Sequence, residues 1–205
     1  MMEKLTKLQL DKAAQYLTDG GIIAFPTETV FGLGVVYDNH VAYERLIIVK
    51  RRPPEKPFTL MLSNPNDISK YAYIDKKSGL LIEKFMPGQF TIILKAKENL
   101  PSFVVSKEGN VGIRIPDDRL IRDLIDIVGK PLLVPSANRS GEKPLTNDVD
   151  VYNEFKDDVD AVIEGKSISN TPSTIVMVTD KIEVIREGLI KKEDIDKVLE
   201  GILWK

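Results

Sequence analysis

The groups best suited to chemistry are short polar clusters where apolar runs end. Along GIIAFPTETVFGLG, residues 21–34, an apolar run stops at Pro26. Two hydroxyls follow at Thr27 and Thr29, then two glycines at Gly32 and Gly34. Ile22 to Phe25 reads as an interior strand, which Pro26 ends because it cannot donate to a ladder. The hydroxyls then stand free for a ligand at a strand-to-turn junction. The glycines let the backbone bend sharply or approach a ligand closely. An ordinary strand and turn would show the same pattern.

A second cluster is Lys50-Arg51-Arg52-Pro53-Pro54-Glu55-Lys56-Pro57, with four cations in seven residues. Its prolines hold the segment extended, an arrangement suited to an anion with several oxygens such as a triphosphate or a carboxylate. A solvated basic loop has the same composition. In Val111-Gly112-Ile113-Arg114-Ile115-Pro116, Val111, Ile113 and Ile115 alternate onto one face and Arg114 onto the other. An arginine inside a strand needs a partner, either a structural carboxylate or a substrate carboxylate. In VPSANRSG, residues 134–141, Ser136 and Asn138 point the same way and can meet phosphate, ribose or a base edge; a serine and asparagine turn is the plainer reading. Ser173 and Thr174 precede one late strand and Arg186 closes another.

The composition excludes several classes. The 205 residues include no cysteine and one histidine, His40. Disulfide frameworks, thiolate zinc sites and cysteine nucleophiles are therefore excluded, and histidine triads have no basis. Net charge is −2, so there is no global basic field to hold nucleic acid and room only for a local RNA contact. No apolar run is long enough to span a bilayer, the start lacks the apolar core of a signal peptide, and a cytoplasmic location is expected. Gly165-Lys166-Ser167 imitates the end of a phosphate-binding loop, but Asp160 stands where that loop needs glycine. The preceding Asp157-Asp158-Val159-Asp160 reads as exposed acidic surface, and no carboxylate cluster suggests a metal cage.

These groups need a frame to hold them, and periodicity predicts helices over 8–18, 41–49, 78–85, 120–128, 151–155 and 192–203. It predicts strands over 22–25, 58–62, 90–95, 111–115, 132–134, 161–163, 175–178 and 182–185. Gly129 is placed to cap the fourth helix. The order lacks the even rhythm of a doubly wound fold, so a twisted, mixed α/β sheet within one domain, residues 1–205, is expected.

The stretches PTETVFGLG, KRRPPEKP, MPGQFTIIL, VGIRIPDD, PSANRSG, STIV and IREG occur in the order seen in the YrdC/YciO/Sua family, which the chain resembles from about residue 8 to 190. The resemblance implies a YrdC-like open sheet flanked by helices, with a large concave basic cavity and the short, single-domain form. It implies joining L-threonine, bicarbonate or CO2, and ATP into threonylcarbamoyl-adenylate and pyrophosphate. The product would pass to tRNA-modifying partner proteins, with Mg²⁺ carried by the ATP phosphates rather than by a protein metal site. By motif, Lys50 and Arg52 would be catalytic and bind phosphates. Lys56, Asn138, Thr146 and Arg186 would contact the nucleotide. Thr27, Thr29, Arg114, Ser136, Ser173 and Thr174 would surround threonine.

The chain departs from the family pattern in three places. Phe31 stands where tyrosine is usual. Phe58-Thr59-Leu60-Met61-Leu62 occupies a region where many relatives carry histidine. Ser169-Asn170-Thr171-Pro172 replaces a usual glycine pair. The Phe-Thr-Leu-Met run resembles the YciO branch, whereas the Lys50/Arg52 and Ser136/Asn138 pairs point toward the synthase branch. Two further alternatives are a non-catalytic RNA-binding or ribosome-assembly protein and a carbamoyl-transfer enzyme.

Overall fold

A computed structural model describes residues 2–53 and 57–203. The strands are β1 (Glu3–Leu5), β2 (Ile23–Phe25), β3 (Gly32–Val36), β4 (Leu60–Met61), β5 (Phe90–Lys95), β6 (Asn110–Arg114), β7 (Leu132–Leu133), β8 (Ala161–Ile163), β9 (Thr174–Val178) and β10 (Ile182–Arg186). The helices are α1 (Leu10–Thr18), α2 (His40–Lys50), α3 (Lys76–Phe85), α4 (Arg119–Val128), α5 (Asp148–Phe155) and α6 (Lys192–Leu203). The described strands form one sheet in the order β1-β8-β2-β3-β7-β4-β6-β5-β9-β10. Parallel pairs (β1/β8, β2/β8, β4/β6, β5/β9) alternate with antiparallel runs, so the sheet is mixed as expected.

Local chemistry sets the helix ends. Asn39, Asp118 and Asn147 accept main-chain N–H groups in the first turns of α2, α4 and α5, and Asp75 and Ser78 form a reciprocal cap on α3. Gly129 closes α4 at φ 71°, the left-handed cap its position predicts.

The period-two alternation of the strands decides where the site can lie. One face of the sheet buries Leu33, Val35, Leu60, Ile92, Ile113 and Val176 beneath α2, α3, α5 and α6. The other face buries Ile23, Phe25, Met61, Leu132 and Ile163 beneath α1 and α4. That second cover stops at β4. On β5, β6 and β9 the same face carries Thr91, Ile93, Gly112, Arg114, Ile175 and Met177, and these line open clefts instead of joining either core cluster. Half of one sheet face is thus left for a ligand.

Several expectations need correction. β1 is too short for its pattern to show. Gly32 and Gly34, which read as a bend, both lie within strand β3. A Cβ on Gly34 would stand 2.6 Å from Phe25 Cε1, and one on Gly32 would stand 2.6 Å from Val134 Cγ1. The glycines make room for packing rather than for a bend. The Asp157–Asp160 run is exposed at Asp157 and Asp158 as expected, but it also has structural bonds: Asp158 pairs with Arg139 at 2.7 Å, and half-buried Asp160 accepts from Ile22 N and binds Arg45.

Candidate functional site

The open half of the sheet ends in a concave cleft. Its wall collects side chains from well-separated parts of the chain. Of the residues singled out by sequence, Thr27, Thr29, Arg52, Arg114, Ser136, Ser173 and Arg186 line it. Among the described residues, no aspartate or glutamate does.

The loop after β2 is held by main-chain bonds to the segment after β7. Phe31 donates to Leu145 O, and its own carbonyl accepts from Ala137 N. Contrary to expectation, the hydroxyls at the start of this loop are not free. Thr27 Oγ1 donates to Val30 O at 2.7 Å and accepts from Thr29 N, and the two threonine hydroxyls lie 2.8 Å apart. With Thr27's hydrogen directed to Val30, Thr29 supplies the proton between them. Thr29 therefore presents lone pairs, and a substrate N–H or O–H would suit it.

Lys50 also departs from expectation. It is not part of the extended basic segment but the last residue of α2, which Arg51 closes in the left-handed region at φ 49°. The side chain is only 2% exposed and lies outside the cleft lining. Its ammonium donates to Ser136 O, Asn138 O and, at 3.0 Å, Asn138 Oδ1. Burial, with the nearby cations Arg52 and Arg139, pushes its pKa down to about 7. Three acceptors matching three ammonium hydrogens oppose that shift.

Asn138 completes this knot. Its Oδ1 also accepts from Ser136 Oγ at 2.6 Å, and its Nδ2 donates to Arg139 O and Glu142 O. The Ser136/Asn138 pair does point the same way. Ser136 faces the cleft, while Asn138's hydrogen-bonding capacity goes to shaping the turn.

Arg52 does reach the cleft. It donates to Pro57 O and stacks 5.1 Å from the Phe58 ring, and burial lowers its pKa. Lys56 lies outside the described residues. Arg114 is buried and finds the structural carboxylate that was one of its two expected partners. Glu28 Oε1 accepts from Arg114 Nη2 at 2.7 Å and from Asp117 N at 3.0 Å. Burial, reinforced by the Glu28 charge, raises the pKa of neighbouring Asp118.

On the far wall, Ser173 Oγ lies 2.9 Å from Thr91 Oγ1, and Arg186 donates to Ser173 O at 3.0 Å and to its Oγ at 3.3 Å. Burial and the Arg114 charge lower the Arg186 pKa. Thr174 is turned away. Its hydroxyl donates to Ile190 O and accepts from Gly188 N, tying the end of β10 to the start of β9. Thr146 is outside the lining; its carbonyl accepts from Ser167 N.

Sequence reasoning missed Glu28, which was passed over between two threonines, and Thr91. The signal for Thr91 was present: it is out of phase with Phe90, Ile92 and Leu94 and so must face the opposite side. A second cleft adjoins the first and shares Arg52, Phe58, Thr91 and Ile175 with it. Its floor is largely apolar, with Ile93, Met177 and Ile185, and Asn110 and Glu108 also line it.

Comparison with known proteins agrees with this architecture. The family model of Sua5, YciO and YrdC, described as Telomere recombination, matches residues 15–188. A protein of Methanocaldococcus jannaschii, provisionally named threonylcarbamoyl-AMP synthase, is 37% identical over 190 residues, covering 92% of this chain and 89% of its own. The crystal structure of P. abyssi Sua5 complexed with L-threonine is similar with a TM-score of 0.90 at 26% identity, over 97% of this chain and 61% of that one. E. coli YciO shares the fold with a TM-score of 0.89 at 24% identity, over 95% of this chain and 100% of that one. Half a sheet face left open, a cationic cleft at its end and these likenesses agree: the chain belongs to the Sua5/YciO/YrdC family.

Proposed function

We propose that this chain is an L-threonylcarbamoyladenylate synthase, a nucleotidyltransferase acting on L-threonine, bicarbonate or CO2, and ATP. The observation that carries the reading is the composition of the cleft wall. Arg52, Arg114 and Arg186 converge there with several hydroxyls and, among the described residues, no carboxylate, so the space favours anions. The relatives named for this reaction, and the Sua5 structure bound to L-threonine, support the assignment.

The chemistry needs no protein nucleophile. The amine of threonine adds to CO2 and loses a proton, giving a carbamate. A carbamate oxygen attacks the α-phosphorus of ATP, and the bond to the bridging oxygen of pyrophosphate breaks. The protein must hold two anions together and stabilise the charge on the departing pyrophosphate, which is catalysis by positioning and electrostatics. Arg114 would hold the threonine carboxylate, Thr29 would accept from its amine or hydroxyl, and Ser173 would flank it. Arg52, with Lys56, would hold phosphates. Arg186 and Ser136 would meet the nucleotide. The flat heterocycle of ATP would lie on the apolar floor of the adjoining cleft.

In this reading Lys50, Asn138, Thr146 and Thr174 shape the walls instead of touching substrate. Mg²⁺ would enter with ATP, held by its phosphates and water, a mode this ion favours; the hydroxyl-rich wall, with no carboxylate among the described residues, suits a metal delivered in that way. The product would pass to tRNA-modifying partner proteins, and 1–205 would act as one domain.

The test is pyrophosphate release by the purified protein with ATP and Mg²⁺. Release should require threonine and bicarbonate together. Release with a different amine would point to another carbamoyl transfer, and no release under any combination would reject the synthase reading.

A further inference from the structure

The Arg114–Glu28 pair is an unusual investment for a binding wall. Both side chains are buried, at 8% and 6% exposure, although removing charges from water is costly unless they are paired. The pair meets through one contact, Nη2 to Oε1 at 2.7 Å. Arg114 Nε and Glu28 Oε2 have no partner among the described residues. A fork-on-fork arginine pair would use two parallel bonds; this one leaves most of the guanidinium's five donors unused by protein. Arg114 lines the cleft while Glu28 does not, so the carboxylate stands behind the arginine. Glu28 Oε1 also accepts from Asp117 N, which ties it to the chain leading into α4 and fixes it from two directions. On the sheet, Arg114 sits beside Met61 in register, a neighbour with no charge to orient it.

We propose that Glu28 is a positioning residue for the amino-acid subsite: its buried carboxylate holds the Arg114 guanidinium so that the opposite edge faces the substrate carboxylate. The inference rests on the synthase reading above, and in particular on Arg114 binding the carboxylate of threonine. Glu28 touches no substrate. It acts by fixing the orientation of Arg114 before the ligand arrives, which reduces the ordering that binding must otherwise supply.

The test compares wild type, Glu28→Gln, Arg114→Lys and the double variant, reading KM for L-threonine, KM for ATP, and threonine affinity by calorimetry. Glu28→Gln keeps the shape and an acceptor but removes the charge. It should weaken threonine binding about tenfold or more, the loss expected of one charge-assisted contact, and leave KM for ATP within about twofold. Arg114→Lys keeps a cation, so threonine binding stays measurable. In that background Glu28→Gln should cost clearly less, because the geometry it supports has already gone.

An equal loss in both backgrounds would overturn the proposal, as would parallel rises in both KM values, which a general loosening of the fold would produce. If Glu28→Gln does not fold, Glu28→Asp made in the wild-type and in the Arg114→Lys background reads the same coupling. Wild type that binds no threonine would reject the synthase reading itself; wild type that binds normally beside an unaffected Glu28→Gln would reject only the role of Glu28.

Discussion

Replacing Lys50 with methionine separates a structural ammonium from a phosphate-binding one. The substitution retains an unbranched side chain of similar reach and removes the donor to Ser136 O, Asn138 O and Asn138 Oδ1. Asn138 Oδ1 keeps its bond from Ser136 Oγ and Ser136 O keeps its bond from Asn138 N, so Asn138 O is the acceptor left without a donor among the described residues. A buried acceptor left unmet costs about 1–3 kcal/mol.

Opposing this is relief from burying a charge. The lysine pKa falls from 10.5 to about 7 in the folded protein, worth roughly 5 kcal/mol at most at 1.36 kcal/mol per unit, and the three acceptors reduce it. Between pH 7 and 10.5 the unfolded chain holds this proton more firmly than the folded one, so the lysine's contribution to stability rises with pH across that window. Below pH 7 the burial penalty is present in full and constant.

Urea unfolding of wild type and Lys50→Met at intervals from pH 6.5 to 9.5 reads the effect. The stability of wild type minus that of the variant should grow with pH. Turnover per folded molecule should fall in the variant at every pH, because the Ser136 turn loses its anchor. A difference that stays flat across the window, with turnover unchanged, would refute the account of Lys50 as a buried fastener.

Other consequences follow from the same geometry. Arg52→Ala should raise KM for ATP by tenfold or more, the equivalent of about 1.5–3 kcal/mol for a charged contact, while thermal unfolding shifts little; an unchanged KM would remove this arginine from the phosphate site. Asp160→Ala removes the acceptor for Ile22 N and the partner of Arg45, and should lower stability by about 1–3 kcal/mol without altering kinetics per folded molecule, as urea titration and steady-state assays would show. Gly34→Ala forces a methyl to within 2.6 Å of a Phe25 ring atom and should cost about 1–3 kcal/mol by overpacking, visible as a lower unfolding midpoint.

Much of the frame was legible in the sequence because period and punctuation agreed. Phe90–Lys95 and Ala161–Ile163 are strands with the predicted ends, Lys192–Leu203 is the predicted helix, and Gly129 caps α4. Arg114 was correctly assigned to the face opposite Val111 and Ile113, since period two allows nothing else. What failed was long-range. Gly32 and Gly34 looked like a turn because their use, making space for Phe25 and Val134, depends on residues distant along the chain or brought close only by pairing. Lys50 looked like part of a solvated basic loop because the carbonyls that hold it come from residues more than eighty positions later. Thr27 and Thr29 looked free because a hydroxyl's partner cannot be read from its type. Glu28 was missed because its role is defined by Arg114, which reaches it only through the folded sheet.

The central claim is that one cationic cleft brings threonine, a one-carbon acid and ATP into a single condensation. The most direct measurement is mass spectrometry of the product formed from ATP, L-threonine and 13C-bicarbonate with Mg²⁺. The account predicts an adenylate containing threonine and a single labelled carbon, formed in step with pyrophosphate and absent when any one reactant is withheld. An adenylate lacking the labelled carbon, or pyrophosphate released without bicarbonate, would contradict it.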